Sequence, residues 1–415
     1  MSRSITLFTL FICLFIGVGC HLASGKTTDE ADSLTNLDAS STSTIASDTT
    51  STPEPKIVAP EPYTQTAQLI AVGDIMMHEP QILNAYDAST KTYDMNNYFT
   101  EVREILMKGD WVVANLETTL AGADSNGYSG YPMFNSPTEL ADALTYAGFQ
   151  IVTTANNHSL DRREAGVLRT IKHLREKSLA FTGTASSTEE AKSKLIISHQ
   201  DIAMGFLSYT YGTNGIPIPE NKDYLVNLID EEKIKADIKE TRQQGADLVA
   251  VSLHFGNEYQ RMPSEQQIAL STALVQAGAD IILGSHPHVV QPIQWVEYER
   301  EDGSTKRGLI VYSMGNFISS QVRDYKDVGM IVHIGVSKSF PDGNAQVDSF
   351  DVVPTYVHRE VKQGKSQLQV LPLDDAIQRY AGATMNAQKV ELLQRYRDEI
   401  QQHVRKIADM RVPLK

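Results

Sequence analysis

The stretch Asp280-Ile281-Ile282-Leu283-Gly284-Ser285-His286-Pro287-His288 decides how this chain is organised. Its apolar start is bounded by Gly and Pro, so it reads as a short buried strand ending in a loop. Open α/β sheets place their ligands at such strand ends. His286 and His288 flank Pro287, and their imidazoles face one side only if the backbone bends, a bend that a metal pair would reward. Two neighbouring histidines are more often ordinary loop residues. Here, however, four other loops repeat the same strand-then-ligand form.

Upstream of it, the strand predicted over 248–253 presents His254-Phe255-Gly256-Asn257-Glu258-Tyr259, and a helix is expected over 264–277. Nearer the start, Gln68-Leu69-Ile70-Ala71-Val72 runs into Gly73-Asp74-Ile75-Met76-Met77-His78. Trp111-Val112-Val113-Ala114-Asn115-Leu116 delivers Glu117. Phe149 to Thr154 leads into Ala155-Asn156-Asn157-His158-Ser159-Leu160-Asp161. Helical periodicity over 97–108, 138–147 and 161–177 makes this a βαβαβα series with right-handed crossovers, which puts the polar ends on one sheet edge. Strands over 194–198 and 202–208 and a helix over 230–243 follow. Strands over 289–298, 308–314, 328–337 and 345–353 come without helices and read as antiparallel, a second sheet or a sheet edge packed on the first.

Asp74, His78, Glu117, Asn157, His254, His286 and His288 form a nitrogen and oxygen ligand set without a thiolate, which suits Mn, Fe or Zn. Singly, each has a structural reading: Asp74 as a helix cap, His254 as a satisfied polar group, Asn157 as a turn residue. Seven such residues on one sheet edge point instead to a metal site.

The 415 residues allow more than one structural unit, or one large α/β domain with extensions. A formal net charge of -14 argues against a broad nucleic-acid-binding face, and an anionic substrate would need a local cation. No GxGxxG or Walker loop is present. The apolar run 5–18 follows Arg3 and falls short of the roughly 20 residues of a membrane span, so it reads as a secretory leader. It ends in Gly17-Val18-Gly19-Cys20, which resembles a bacterial lipobox with Gly17 where Leu is preferred; Cys20 would then be lipidated and become the mature N-terminus. The two cysteines are Cys13 and Cys20, which leaves no disulfide framework for the folded part. Residues 25–62 are rich in Ser, Thr, Asp, Glu and Pro and cannot bury enough apolar surface to fold, as expected of a tether. The expected division is a leader over 1–20, a tether over 21–65, a main domain over 66–355 and a helical extension over 356–415. In the extension Leu393, Tyr396, Ile400, Val404 and Ile407 follow helical spacing, flanked by Arg395, Arg397, Arg405 and Lys406. Such a helix usually packs on its own domain; a membrane-facing or partner-facing role is the alternative.

The motifs ending in Asp74 and His78, Asn115-Leu116-Glu117, Ala155-Asn156-Asn157-His158 with Asp161, His254 to Tyr259, Gly284 to His288, and Tyr312-Ser313-Met314-Gly315-Asn316-Phe317 together resemble the CapA family. The resemblance spans 68–353. That family is associated with bacterial capsule and poly-γ-glutamate synthesis and is similar in fold to calcineurin-like metallophosphoesterases. It implies an αββα sandwich of two mixed sheets flanked by helices.

By the same resemblance, Asp74, His78 and His288 would hold one divalent ion, Asn157, His254 and His286 a second, and Glu117 would bridge them. His158 would be the general acid beside the leaving group, with Asn156, Glu258, Tyr259 and Asn316 expected at the substrate. Two features depart from the phosphoesterase pattern: His78 lies four residues after Asp74 rather than two, and Glu117 replaces a bridging Asp. Two cations roughly 3.5–4 Å apart can activate a nucleophile and stabilise the oxyanion of an in-line displacement. The implied function is a membrane-tethered extracytoplasmic hydrolase acting on a cell-envelope polymer or phosphoester. The alternative is a non-catalytic accessory subunit of a polymer synthase or exporter. Poly-γ-glutamate has amide bonds and carboxylates, so the family's name does not itself imply a phosphate substrate.

Overall fold

The computed structural model describes residues 61–299, 303–362, 365–381 and 387–412; the leader, Cys20 and the tether up to residue 60 lie outside the described residues. The first half of the domain runs β1 (Tyr63–Ile75), α1 (Glu79–Ala85), a ribbon of β2 (Tyr86–Asp87) and β3 (Thr92–Tyr93), α2 (Thr100–Leu106), β4 (Trp111–Leu116), α3 (Glu139–Ala147), β5 (Ile151–Thr153), α4 (Arg163–Glu176) and β6 (Ala180–Thr182). β1, β4 and β5 pair in parallel in that order, as the alternating pattern predicts, and β6, where no strand was expected, adds a fourth parallel strand beside β5. Leu69 and Ala71 of β1 enter a core shared with the second sheet, while Ile70 and Val72 lie under α2 and α3. Burial on both faces is why the run is apolar throughout rather than alternating.

The chain continues through α5 (Thr188–Lys192), β7 (Leu195–His199), β8 (Ile202–Thr210), α6 (Glu231–Gln243), β9 (Leu248–His254), α7 (Glu265–Gln276), β10 (Ile281–Ser285), β11 (Ile293–Glu299) and β12 (Thr305–Val311). Here β8, β9, β10 and β12 are parallel neighbours, with β7 and β11 antiparallel at the flanks. Leu248 and Ala250 of β9 meet Leu69 and Ala71 in the shared core, and Val249 and Val251 face the opposite side. The strand expected over 308–314 is antiparallel to β11, as expected, but its other neighbour, β10, is parallel to it. β11 leaves one place open beside β10, and β12 returns into it.

β13 (Asn316–Ile318), β14 (Val328–Phe340), β15 (Ala345–Lys362) and β16 (Lys365–Pro372) rejoin the first sheet; β13 is parallel to β1, and β14 to β16 form an antiparallel edge. The chain closes with α8 (Leu373–Ala381), α9 (Ala387–His403) and β17 (Met410–Val412), which pairs with β11. The result is the sandwich of two mixed sheets flanked by helices that the sequence implies. Two boundaries differ from expectation. β1 already begins at Tyr63, within the stretch read as tether, and the limit at 355 falls inside β15. The segment from 356 onward thus adds strands to both sheets. Leu393, Tyr396, Ile400 and Val404 are buried in the shared core, so α9 packs on its own domain. Among the described residues no helix is long and apolar enough to cross a membrane.

Between β12 and β13 the chain passes from the second sheet to the first. Met314 donates its N–H to the Gly284 carbonyl of β10 (3.2 Å), and Asp74 of β1 donates its N–H to the Gly315 carbonyl (3.0 Å). A Cβ on Gly284 would overlap the Tyr312 carbonyl oxygen, and one on Gly73 would overlap that of Gly315. Backbone clashes of this kind have no rotamer escape. We expect Gly284→Ala to destabilise the domain by about 3 kcal/mol, whereas Gly212→Ala, whose Cβ would meet nothing, stays within about 0.5 kcal/mol of the parent. Denaturant midpoints at constant m-value would measure both.

Candidate metal centre

Strand ends of both sheets build the site. β1 brings Asp74, β4 brings Asn115 and leads to Glu117, and the loop after β5 carries Asn157 and His158. In the second sheet β9 ends in His254, and the loop after β10 carries His286 and His288. The expected ligands therefore do not share one sheet edge: they close on one another across the end of the sandwich. Asp74, Glu117, Asn157, His254, His286 and His288 are all buried. His286 (φ +96°) and His288 (φ +59°) both lie in the left-handed region, which is the bend that aiming two imidazoles across Pro287 requires. Non-glycine residues hold such conformations where their surroundings over-determine them, commonly at functional sites.

Three groups of donors converge among the described residues, and two of them are entirely buried. Asp74, Glu117 and His288 form one; Glu117, His254 and His286 form the other, so Glu117 belongs to both. His288 Nδ1 is 2.9 Å from Asp74 Oδ2, and His254 Nε2 is 2.9 Å from Asn157 Oδ1 and 3.5 Å from Glu117 Oε1. Asn115 ties the groups together: its amide donates to Asp74 Oδ1 (2.8 Å) and Glu117 Oε2 (3.3 Å) and lies 3.3 Å from His254 Nδ1. Ser285 Oγ also meets His254 Nδ1 at 2.9 Å, a contact that fixes the orientation of the ring.

Burial, followed by the Asp74 charge and hydrogen bond, pushes the Glu117 carboxyl well above the usual range. Burial and then His288 lower His286 to about 4, and burial and then His286 hold His254 well below the ordinary imidazole value. Glu117 Oε1 and His286 Nδ1 are buried without a hydrogen-bond partner. Crowded carboxylates, neutral imidazoles and two unpartnered lone pairs are what a divalent cation satisfies, and the donor set fits Mn, Fe or Zn.

Beside this cluster, His158 Nδ1 lies 2.7 Å from Asp161 Oδ2, with both side chains buried, and the Phe134 ring meets the imidazole edge-on at 4.6 Å. His78 enters none of these groups. It precedes α1, its N–H donates to Gln81 Oε1 (2.9 Å), and its Nδ1 accepts from Ser320 N–H (3.2 Å). The two extra residues between Asp74 and His78 carry the imidazole past the donor cluster to the start of that helix.

Asn156 and Asn316, expected at the substrate, are instead buried braces. Asn156 donates to the Leu116 carbonyl (2.8 Å) and Asn316 to Gln321 Oε1 and the Lys326 carbonyl (both 2.9 Å). Glu258 is exposed and converges with His286 and His288, and Tyr259 sits half-exposed with its ring 6.1 Å from that of His288. Three contributors were not singled out from sequence. Asn115 lies two residues before Glu117 on a strand, a same-face spacing that could have revealed it. Ser285 is within the opening motif itself. Tyr211, whose ring packs at 4.7 Å on His286, follows β8 and has no motif.

Residues 68–321 match the family described as bacterial capsule synthesis protein PGA_cap. The chain is 31% identical over 280 residues to the capsule biosynthesis protein CapA of Bacillus anthracis, covering 64% of this chain and 63% of that one. It is 29% identical over 264 residues to the PGA biosynthesis protein CapA of Bacillus subtilis, covering 60% and 62%. The matched part is thus under two thirds of either relative's length. Among solved structures, a putative 5'-nucleotidase from Staphylococcus aureus aligns at a TM-score of 0.44 and 17% identity, over 72% of this chain and 57% of that one. With well over half its length matched in one continuous stretch that holds every residue of the donor cluster, the chain belongs to the PGA_cap family of bacterial capsule synthesis proteins.

Proposed function

We propose that the chain is a metal-dependent, phosphoesterase-like hydrolase of capsule or poly-γ-glutamate synthesis, held outside the cytoplasmic membrane by a lipid on Cys20. The observation that carries the reading is Glu117, whose buried, unpartnered Oε1 is shared by two converging donor groups. Asp74, His288 and Glu117 would hold one divalent ion; Glu117, His254, His286 and Asn157 would hold the second. Bound there, two ions supply Lewis-acid charge and activation of a nucleophile at neutral pH. The names of the two CapA relatives support the setting in polymer synthesis.

The chain's own groups do the rest. Asn115 holds the carboxylates of Asp74 and Glu117 in place, and Ser285 orients His254. Asp161 accepts the Nδ1 proton of His158 and fixes the tautomer; the Phe134 N–H, 2.6 Å from the same oxygen, steadies the carboxylate. When Nε2 is protonated as well, its proton is the one free to pass to a leaving oxygen, which leaves the neutral ring with its Nδ1 proton on Asp161, as a general acid requires. The loop carrying Glu258 and Tyr259 stands at the exposed side, where a substrate would enter.

Metal analysis tests the centre directly. We expect near-stoichiometric Mn, Fe or Zn in the purified protein and its loss in both His286→Ala and His288→Ala. In the metal-free protein, His286 is lowered to about 4 against an unfolded value of about 6.5, so its contribution to stability grows between those pH values. The raised Glu117 acts oppositely, and its contribution fades as pH rises through the folded value. A divalent ion takes the place of that proton. The gain in Tm on adding metal should therefore be larger at pH 8 than at pH 5; an equal gain at both would count against the centre.

His158→Ala should keep its metal and lose about 10²–10⁴ in kcat on an alkyl phosphoester with a poor leaving group, but much less on an aryl ester. Equal losses together with loss of metal would make His158 a ligand. If the wild type cleaves no ester with Mn, Fe or Zn, the accessory-subunit reading replaces this one. Mass spectrometry of the N-terminus is expected to find a diacylglyceryl-modified Cys20; an unmodified terminus downstream of it would remove the lipid anchor from the proposal.

A further inference from the structure

The region that matches the family ends at residue 321, yet the loops over the site are held by a helix that begins at 387. α9 buries Leu393, Tyr396 and Ile400 in the core, and Glu399 and His403, one turn apart, face two loops. His403 Nε2 lies 2.7 Å from the carbonyl oxygen of Arg261, and the Glu399 carboxylate is 3.6 Å from the Arg261 guanidinium. Glu399 also accepts a hydrogen bond from the Tyr325 hydroxyl. The Arg261 guanidinium stands 3.7 Å over the Tyr325 ring, closing the triangle between the helix and the two loops.

These two loops meet above His288. Arg261 is two residues after Tyr259, and Tyr325 directly precedes Lys326, whose ammonium stands 5.0 Å over the Tyr259 ring. Gln321 donates to the Tyr259 hydroxyl (3.3 Å), and Tyr259 N–H donates to the Pro287 carbonyl (2.8 Å) between the two site histidines. Both loops are strained: Tyr259 has φ +64°, and Arg323, Asp324 and Tyr325 have φ +64°, +50° and +65° in succession. Residues in these regions persist only where neighbours over-determine them. Here those neighbours include a segment remote in sequence from the site.

We infer that Glu399 and His403 are positioning residues: through Arg261 and Tyr325 they set the two loops that place Tyr259 and Glu258 at the mouth of the donor cluster, so that α9 completes the site. The inference about the loops stands on geometry alone, and its consequence for turnover rests on the hydrolase reading.

Hydrogen exchange followed by mass spectrometry on the full-length protein tests the first part without any activity. In Glu399→Ala and in His403→Ala, exchange within 255–262 and 319–327 should rise about tenfold while β1, β9 and β10 stay protected. Glu399→Gln, which keeps the acceptor for Tyr325 but not the charge facing Arg261, should loosen 255–262 more than 319–327. With bis(p-nitrophenyl) phosphate and Mn²⁺, KM should rise by about threefold or more with kcat and metal content little changed, the pattern of a lost positioning contact at binding. Unchanged exchange in both loops overturns the inference. So does exchange that rises uniformly across the protein, which would make α9 a core helix only. If the wild type does not turn over the ester but the loops loosen as described, the hydrolase reading fails and the positioning role stands.

Discussion

The structure depends on the passage of Tyr312-Ser313-Met314-Gly315 between the ends of the two sheets. A donor from Met314 to Gly284 and a donor from Asp74 to Gly315 lock the carboxyl ends of β10 and β1 to the same few atoms of backbone. Gly73 and Gly284 admit that approach because neither has a Cβ to fill the gap. Each sheet alone would present half a site: three carboxylate and amide groups on one, three imidazoles on the other. The crossing brings His288 to within a hydrogen bond of Asp74 and leaves Glu117 between the halves.

That closure has an electrostatic cost in the metal-free chain. Glu117 is pushed toward its neutral form by burial and by Asp74, while burial and then His286 favour the neutral imidazole of His254, and burial and then His288 that of His286. Lone pairs on Glu117 and His286 have no hydrogen-bond partner, and the histidine loop is bent into left-handed conformations at two non-glycine residues. A core designed only for stability would fill this space with apolar side chains. Concentrating unmet donors and strain at one point, while strands on every side are fully paired, is the physical signature of a site kept for a ligand.

The C-terminal segment changes how the domain is bounded. β15 and β16 extend the first sheet, β17 extends the second, and α9 covers the shared core, so the part beyond the family match is built into the same sandwich. Its contacts with Arg261 and Tyr325 show that the mouth of the site is shaped by chain far from the motifs that line it.

Apolar runs followed at once by Asp, Asn, Glu or His made the parallel strands and most of the donor cluster readable from sequence, because a buried strand must be apolar and its end is where polar groups can gather. Pro287 between two histidines similarly announced the backbone bend. Residues whose role depends on a partner strand or a distant loop were not readable. Whether the ligands lay on one sheet edge or across two was decided by the 312–315 crossing, and β12 took its parallel place because β11 left a gap beside β10. Asn156, Asn316 and His78 have the residue types of site groups, but their side chains are taken up by Leu116, Lys326 and Ser320. Local sequence therefore determined which strands end in chemistry. Only tertiary structure decided which of those side chains face one another, since that depends on contacts between segments up to about two hundred residues apart, such as Asp74 and His288.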